Sequence, residues 1–290
     1  MEHFKIRALM IKCDKCSTGW SVEQSDFEKI IITCQNPECN NQFTVYEGLK
    51  NGLKFYEDFI PIPFLANEMF NGTVDVKIGY TTYFDLPANV KKIYNIMIFP
   101  IGTFLAGAVD ITKNGFKIFS SLLDDGDKNL IGENAKVLVI INAKIDDYNI
   151  PWMDMLQYAL GQLKNEEYLT SILFSEIAFE IYVDTILAES YKKYGLDEDS
   201  ISRFLTVSEL PSKVNPLMCN LYELKLSKSQ SWNNWEKKAL KWRNEIAHGS
   251  KRNATREEAI IVYEAVVDSI FYFMEGIDNY FKRKDDNTKK

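Results

Sequence analysis

The stretch that decides how the C-terminal half folds is Ser231-Trp232-Asn233-Asn234-Trp235-Glu236-Lys237-Lys238-Ala239-Leu240-Lys241-Trp242-Arg243-Asn244-Glu245-Ile246-Ala247-His248-Gly249. Trp232, Trp235, Ala239, Trp242 and Ile246 follow one another at spacings of 3, 4, 3 and 4. That is one face of a helix, not the strict alternation of a strand. Gly249 suits the left-handed position just past a helix end.

The same period extends on both sides. Upstream, Met153–Leu163 and Glu167–Tyr191 are two helices, and the second is apolar nearly all round from Ile172 to Leu187. A helix of that kind is central in a bundle. Ser200–Phe204 and Leu217–Leu224 are shorter helical pieces. Downstream, Thr255-Arg256-Glu257-Glu258 is a capping box that opens a helix running to about Phe281. The charged remainder of the chain, 283–290, is expected to be a disordered tail.

Ahead of position 151 the pattern changes. Thr73–Tyr83 alternates, and Lys92–Phe99, Ala108–Thr112, Phe116–Phe119 and Val137–Ala143 are further β-rich runs. Asn114-Gly115 between two of them signals a hairpin. The uncharged run Ile93–Val109 is too short for a membrane span and reads as two strands joined at Pro100–Gly102. Short strands with no helical period between them argue for an antiparallel sandwich or barrel. Phe84-Asp85-Leu86-Pro87, followed by Val109-Asp110-Ile111-Thr112-Lys113-Asn114-Gly115-Phe116, resembles the strand pattern of small H-type lectin sandwiches. An unrelated sandwich fits the same residues, and the resemblance transfers no sugar-binding residue.

Four of the five cysteines crowd the N-terminal end as Cys13, Cys16, Cys34 and Cys39, a C-x2-C-x17-C-x4-C pattern. Each short loop places two thiolates on one tetrahedral metal, and two such loops close a four-cysteine site. Phe4–Lys12, Phe27–Thr33 and Gln42–Tyr46 read as the strands flanking the loops. The expectation is a zinc ribbon with a structural Zn2+. Disulfides are the alternative, disfavoured because no export signal is visible in the first residues. Cys219, after Leu217 and Met218, reads as a buried core thiol.

Composition narrows the function classes. The chain has 290 residues, 46% hydrophobic and 26% charged, with few glycines and prolines, which excludes a low-complexity or collagen-like chain. Net charge is −7, so this is no general polyanion binder. Between Lys225 and Arg256, however, nine Lys/Arg face only Glu236 and Glu245, a local charge of +7. The expected compartment is the cytoplasm, with no membrane association.

Only His3 and His248 exist, and His3 stands at the terminus, so histidine chemistry would fall to His248. It lies inside the basic segment, and basic charge beside an imidazole suits RNA cleavage. Arginine holds the phosphate, and imidazole moves a proton near neutral pH. Arg243 and His248, five residues apart, differ by about 140° in azimuth on a continuous helix. They converge only where the helix ends or where a second subunit contributes.

Arg243-Asn244-x-x-x-His248-Gly249 near a helix end, followed by a long helix, resembles the R-x4-6-H motif of HEPN domains. Ile177-Ala178-Phe179-Glu180-Ile181-Tyr182 resembles that family's earlier core helix, with Glu180 at a position that is often acidic. The resemblance covers 151–281. It implies a helical bundle that dimerises into one composite groove, and a metal-independent endoribonuclease of toxin, antiviral-defence or stress systems. In that resemblance His248 is the general acid/base, Arg243 stabilises the phosphate, Asn244 positions it, and Glu180 orients Arg243 or His248. The products would carry 2′,3′-cyclic phosphate or 3′-phosphate ends.

The expected chain is thus multi-domain α+β: a zinc ribbon at 1–48, a β-sandwich at 49–150, and an all-α HEPN bundle at 151–282. The expected partners are RNA, tRNA among the candidates, a second copy of the chain, and a protein or ligand trigger at the sandwich. A non-catalytic adaptor recognising a protein, nucleotide or glycan fits the same organisation. In that case Arg243, Asn244 and His248 are a helix-end cap, and Glu176, Glu180 and Asp184 are a solvated stripe.

Overall fold

Residues 10–21, 24–29, 31–54, 68–112, 114–123, 129–145 and 150–288 are described by the structure, a computed structural model. His3, the first residues of the expected Phe4–Lys12 strand and the last two residues lie outside them. Contacts divide the chain into two compact units. One is built from the strands of the middle region. The other combines the cysteine loops and the helix after them with the C-terminal helices. The division into three parts at 48 and 150 therefore differs from the observed grouping, in which the cysteine region belongs with the helices.

In the first unit all pairing among the described strands is antiparallel. Strands β5 (Glu68–Lys77), β10 (Asn134–Ile145) and β7 (Val90–Ile101) form one sheet in the order β5-β10-β7. Strands β6 (Thr81–Asp85), β9 (Gly115–Leu122) and β8 (Phe104–Thr112) form another in the order β6-β9-β8. Side chains on a strand alternate between faces, so Val137, Val139, Ile141, Ala143 and Ile145 of β10 all point one way. They share a core with Val76, Val90, Phe104, Phe116 and Ile118 from both sheets.

The run 73–83 is two strands rather than one. The chain turns at Gly79, where φ is +83°, and the buried Ser120 hydroxyl holds the turn by donating to the Lys77 carbonyl at 2.8 Å. The outer face of the second sheet leaves Tyr83, Leu105, Val109 and Phe119 exposed.

The second unit begins with two short pairs of strands, β1 (Met10–Lys12) with β2 (Gly19–Ser21), and β3 (Ile32–Thr33) with β4 (Gln42–Phe43). The expected strands at 27–33 and 42–46 are shorter than the sequence suggested. Gln24–Glu28 is a 3-10 turn, and Tyr46 belongs to helix α1 (Val45–Leu53). Thr44 caps that helix. Its hydroxyl accepts from the Glu47 amide at 3.1 Å, while the Glu47 carboxylate accepts from the Thr44 amide at 2.8 Å. Gly48 lets α1 sit directly on the strands, since a β-carbon there would lie 2.8 Å from Phe43 and 2.9 Å from Ile11.

Helices α2 (Pro151–Lys164) and α3 (Tyr168–Lys193) form an antiparallel pair. The apolar circumference of α3 is met on several sides. Trp152 of α2 packs edge-on against Tyr182 at 5.4 Å. Phe179 meets Trp235 edge-on at 5.5 Å and stacks on Phe273 of the last helix at 6.4 Å. After α4 (Glu198–Val207) the chain runs through short helical pieces to Trp232–Asn234, a π-helical segment Trp235–Leu240, and α5 (Lys241–Ala247).

The π turn breaks the regular stripe read from the sequence. Trp235 and Ala239 are fully buried, while Trp232, Trp242 and Ile246 are only half-buried. The final helix, α6 (Arg256–Thr288), extends through most of what was expected to be a disordered tail. Its capping box forms as expected, with Thr255 and Glu258 exchanging bonds of 3.0 and 3.2 Å.

Helix α1 is fastened to α6. The Tyr263 hydroxyl donates to the Leu53 carbonyl at 3.1 Å, Lys50 pairs with Asp268 at 3.5 Å, and burial beside Asp278 raises the Tyr46 phenol. The loops that carry the cysteines are therefore joined to the helical bundle through a packed helix.

Candidate functional site

Two constellations in the second unit carry chemistry. In the first, the Sγ atoms of Cys13, Cys16, Cys34 and Cys39 all lie within 4.8 Å of one another. Cys13 and Cys39 are 3.7 Å apart and Cys16 and Cys34 are 3.5 Å apart. Disulfide sulfurs sit at about 2.05 Å, and all four cysteines are free. Sulfurs bound tetrahedrally at about 2.3 Å from one ion would be about 3.8 Å apart, so the spacing fits a single metal.

Polar groups already turn toward the sulfurs. The Thr18 hydroxyl and amide draw the Cys16 thiol down to about 6, whereas burial pushes Cys34 up to about 12. The Asn41 side-chain amide reaches Cys13 at 3.5 Å and the Asp14 carboxylate at 2.7 Å. Such outer contacts fix ligand orientation in metal sites. With all four ligands supplied by protein, no coordination position is left for a reacting molecule.

The second constellation lies where α5 meets α3. Arg243, half-buried, places its guanidinium 3.5 Å from the Glu180 carboxylate and donates to the Asn244 side-chain oxygen at 3.1 Å. Glu180 and Asn244 thus flank Arg243. Helix α5 then stops at Ala247, with His248 as its cap residue. Gly249 takes φ +74°, the Gly249 amide bonds to the Ile246 carbonyl at 3.0 Å, and the Ser250 amide bonds to the Glu245 carbonyl at 2.9 Å. These two bonds are a Schellman closure.

The closure uses these backbone bonds and the Ser250 hydroxyl, which donates to the Glu245 carbonyl at 3.0 Å, and leaves His248 exposed at the helix end. The sequence reading in which the imidazole itself satisfies the last carbonyls is not what caps this helix. In the same segment, Lys237, Lys241 and Arg252 are exposed, and Lys251 lies over the Trp242 ring at 4.8 Å while pairing with Glu258 at 2.9 Å. The basic segment is therefore at the surface.

No family model, curated protein or solved structure matches this chain.

The acidic stripe of α3 is not uniformly solvated. Glu176 is buried, Glu180 faces Arg243, and Asp184 pairs at 2.7 Å with Lys213, a buried lysine in the π-helical segment Lys213–Leu217. Glu176, Trp235 and Lys213 are the members of this neighbourhood that the sequence reading missed as site residues. Trp235 and Glu176 stood in it only as members of periodic stripes. Glu180, Asp184 and Lys213 also border an open groove of about 740 Å³ between α3 and α4. Cys219 is half-buried rather than a core thiol, and no helix among the described residues is long and apolar enough to cross a membrane.

Proposed function

We propose that this protein is a metal-independent endoribonuclease of the HEPN type, with Arg243 and His248 acting in a composite site between two copies of the chain. The observation that carries the reading is the disposition of α5. A guanidinium flanked by Glu180 and Asn244 stands in a basic segment, five residues ahead of an exposed imidazole at the helix end.

The chemistry suits those groups. The 2′-oxygen of the substrate attacks the adjacent phosphorus, the bond from phosphorus to the 5′-oxygen breaks, and a 2′,3′-cyclic phosphate remains. One proton leaves the 2′-hydroxyl and one reaches the departing 5′-oxygen. His248 moves one of them and the same residue of a second copy moves the other. Arg243 neutralises the charge on the phosphate oxygens, and Asn244 donates a hydrogen bond to them. The exposed lysines hold the neighbouring backbone phosphates.

The metal at the four cysteines is proposed to be Zn2+ in a structural role, because a tetrahedral set of four thiolates favours it. The two-sheet unit is proposed to be a sandwich that recognises or restrains, with a toxin or antiviral-defence effector as the biological setting. The test is incubation of wild type and the His248→Ala variant with total RNA and tRNA, with and without EDTA. Cleavage by wild type alone, surviving EDTA and leaving cyclic phosphate ends, is expected. Cleavage by both proteins, or by neither in the presence of every fraction of a cell extract, overturns the reading in favour of the adaptor.

A further inference from the structure

The inner carboxylate of the α3 stripe has no task in that mechanism. Glu176 is 1% exposed, and neither of its oxygens has a hydrogen-bond partner. The indole N–H of Trp235, also buried and without a partner, lies toward this carboxyl but outside hydrogen-bond geometry. From α6 the neighbourhood receives an apolar group, Phe273 stacked on Phe179. The charged groups that bear on Glu176 are Arg243 from α5 and Glu180 from its own helix. Arg243 therefore stands against the outer carboxylate, Glu180, which is in partial contact with water, and the buried Glu176 lies one turn away along the same helix.

An ionised carboxylate in such a place needs a cation, and Arg243 is the one at hand. The outer pair with Glu180 is long, at 3.5 Å, and 39% of the Glu180 side chain is exposed, so it is weak and a bidentate phosphate displaces it. A second negative charge behind the guanidinium changes this balance. It draws Arg243 inward and repels an arriving phosphate.

We propose that Glu176 is a positioning residue for Arg243: as the neutral acid it leaves the guanidinium at the surface for phosphate, and as the carboxylate it claims the guanidinium for the helix interface. The proposal rests on the ribonuclease reading, and its pH behaviour follows from burial. Burial pushes the Glu176 carboxyl up to about 8, with Arg243 pulling it down and Glu180 pushing it up. The folded chain then keeps a proton that the unfolded chain loses near 4.5. Stability falls as pH rises from about 4.5 to about 8 and levels off above that.

The experiment compares full-length wild type, Glu176→Gln and Arg243→Ala from pH 5 to pH 9.5. Thermal unfolding is followed throughout, and binding of a fluorescent 2′-deoxyoligonucleotide, which cannot be cleaved through a 2′-hydroxyl, is measured alongside RNA cleavage. Wild-type affinity and kcat/KM should fall about tenfold per pH unit above about 8, and Glu176→Gln should abolish that fall. Glu176→Gln should also remove the stability slope between pH 4.5 and 8. Arg243→Ala should extend that slope to higher pH, because the charge that pulls Glu176 down is gone.

If Glu176→Gln does not fold, the Arg243→Ala unfolding profile alone decides. A slope that ignores Arg243, or an alkaline fall that survives Glu176→Gln, overturns the proposal. A shifted slope with no nucleic-acid binding by any variant leaves the two residues coupled but removes the ribonuclease reading, and the phosphate role falls with it.

Discussion

The cysteine cluster and the α5 segment sit in one unit and solve opposite problems. At the cysteines, four like groups converge within 4.8 Å, enough to fill every position around one tetrahedral ion. At α5, unlike groups stay apart, with a guanidinium in a long ion pair and an imidazole exposed beyond the helix end. A closed set of ligands is worth most to folding and least to turnover. The open set contributes little to stability and keeps its groups available. Each experiment below either separates those two roles or shows that they overlap.

The largest effect is expected at the cysteines. Structural zinc contributes on the order of 10 kcal/mol of apparent folding free energy in small domains. Because α1 connects these loops to α6 through Tyr263, Lys50 and Tyr46, the loss should reach the helices. Prolonged chelation, or Cys34→Ser, should lower the melting temperature of the helical signal by on the order of 10 °C. Atomic emission should find one zinc per chain before treatment. A helical transition indifferent to the metal would make the cysteine region a separate module after all.

Next in size is His248→Ala. Removing a general acid or base costs about 10²- to 10⁴-fold in rate, while an exposed side chain changes stability by no more than about 0.5 kcal/mol. The variant should therefore lose RNA cleavage by at least about a hundredfold, with an unfolding curve that overlays wild type. A matching loss of stability would place His248 in the fold rather than in the chemistry.

Smaller again is the join between the two constellations. Thr44→Ala removes one side of the capping box at the start of α1 and should cost about 1 kcal/mol. At this chain length that lowers the melting temperature by roughly 2–4 °C. Cleavage at 25 °C should be unchanged. A large drop in cleavage would show that α1 transmits something from the cysteines to α5.

How much of this was legible depended on how local each feature is. The cysteine loops close over a few residues, so their spacing alone pointed to one cluster. The Schellman closure at Gly249 and the capping box at Thr255 are local for the same reason. The equally local box at Thr44-Val45-Tyr46-Glu47 is readable too, but the β-rich run Gln42–Tyr46 reads as a strand and hides it. Alternation of Val76 and Ile78 hid the turn at Gly79, because both residues point into the core although only Val76 belongs to a strand. The π-helical segment at Trp235–Leu240 left no mark, since a 3-4-3-4 stripe fits an ordinary helix equally well. The burial of Glu176 was the least accessible feature. The i, i+4, i+8 spacing of Glu176, Glu180 and Asp184 places them on one face, and only packing decides which part of that face is covered.

Glu180 is where the smallest effect should discriminate best. Its pair with Arg243 is partly exposed and worth at most about 1 kcal/mol, so Glu180→Gln should leave the melting temperature within about 3 °C of wild type. On the ribonuclease reading proposed above, its two roles on a substrate oppose each other. It competes with phosphate for the guanidinium, so its removal should lower KM. It also orients that guanidinium, so its removal should lower kcat. Each change should be no more than about fivefold, the size of the pair itself. Steady-state cleavage of a single fluorescent RNA reads both constants from one series. A fall in both would identify Glu180 as a tether that Arg243 leaves when phosphate arrives. Constants that do not move would reduce the pair to a surface contact, and the orientation of Arg243 would then rest on Asn244 and the packing of α5.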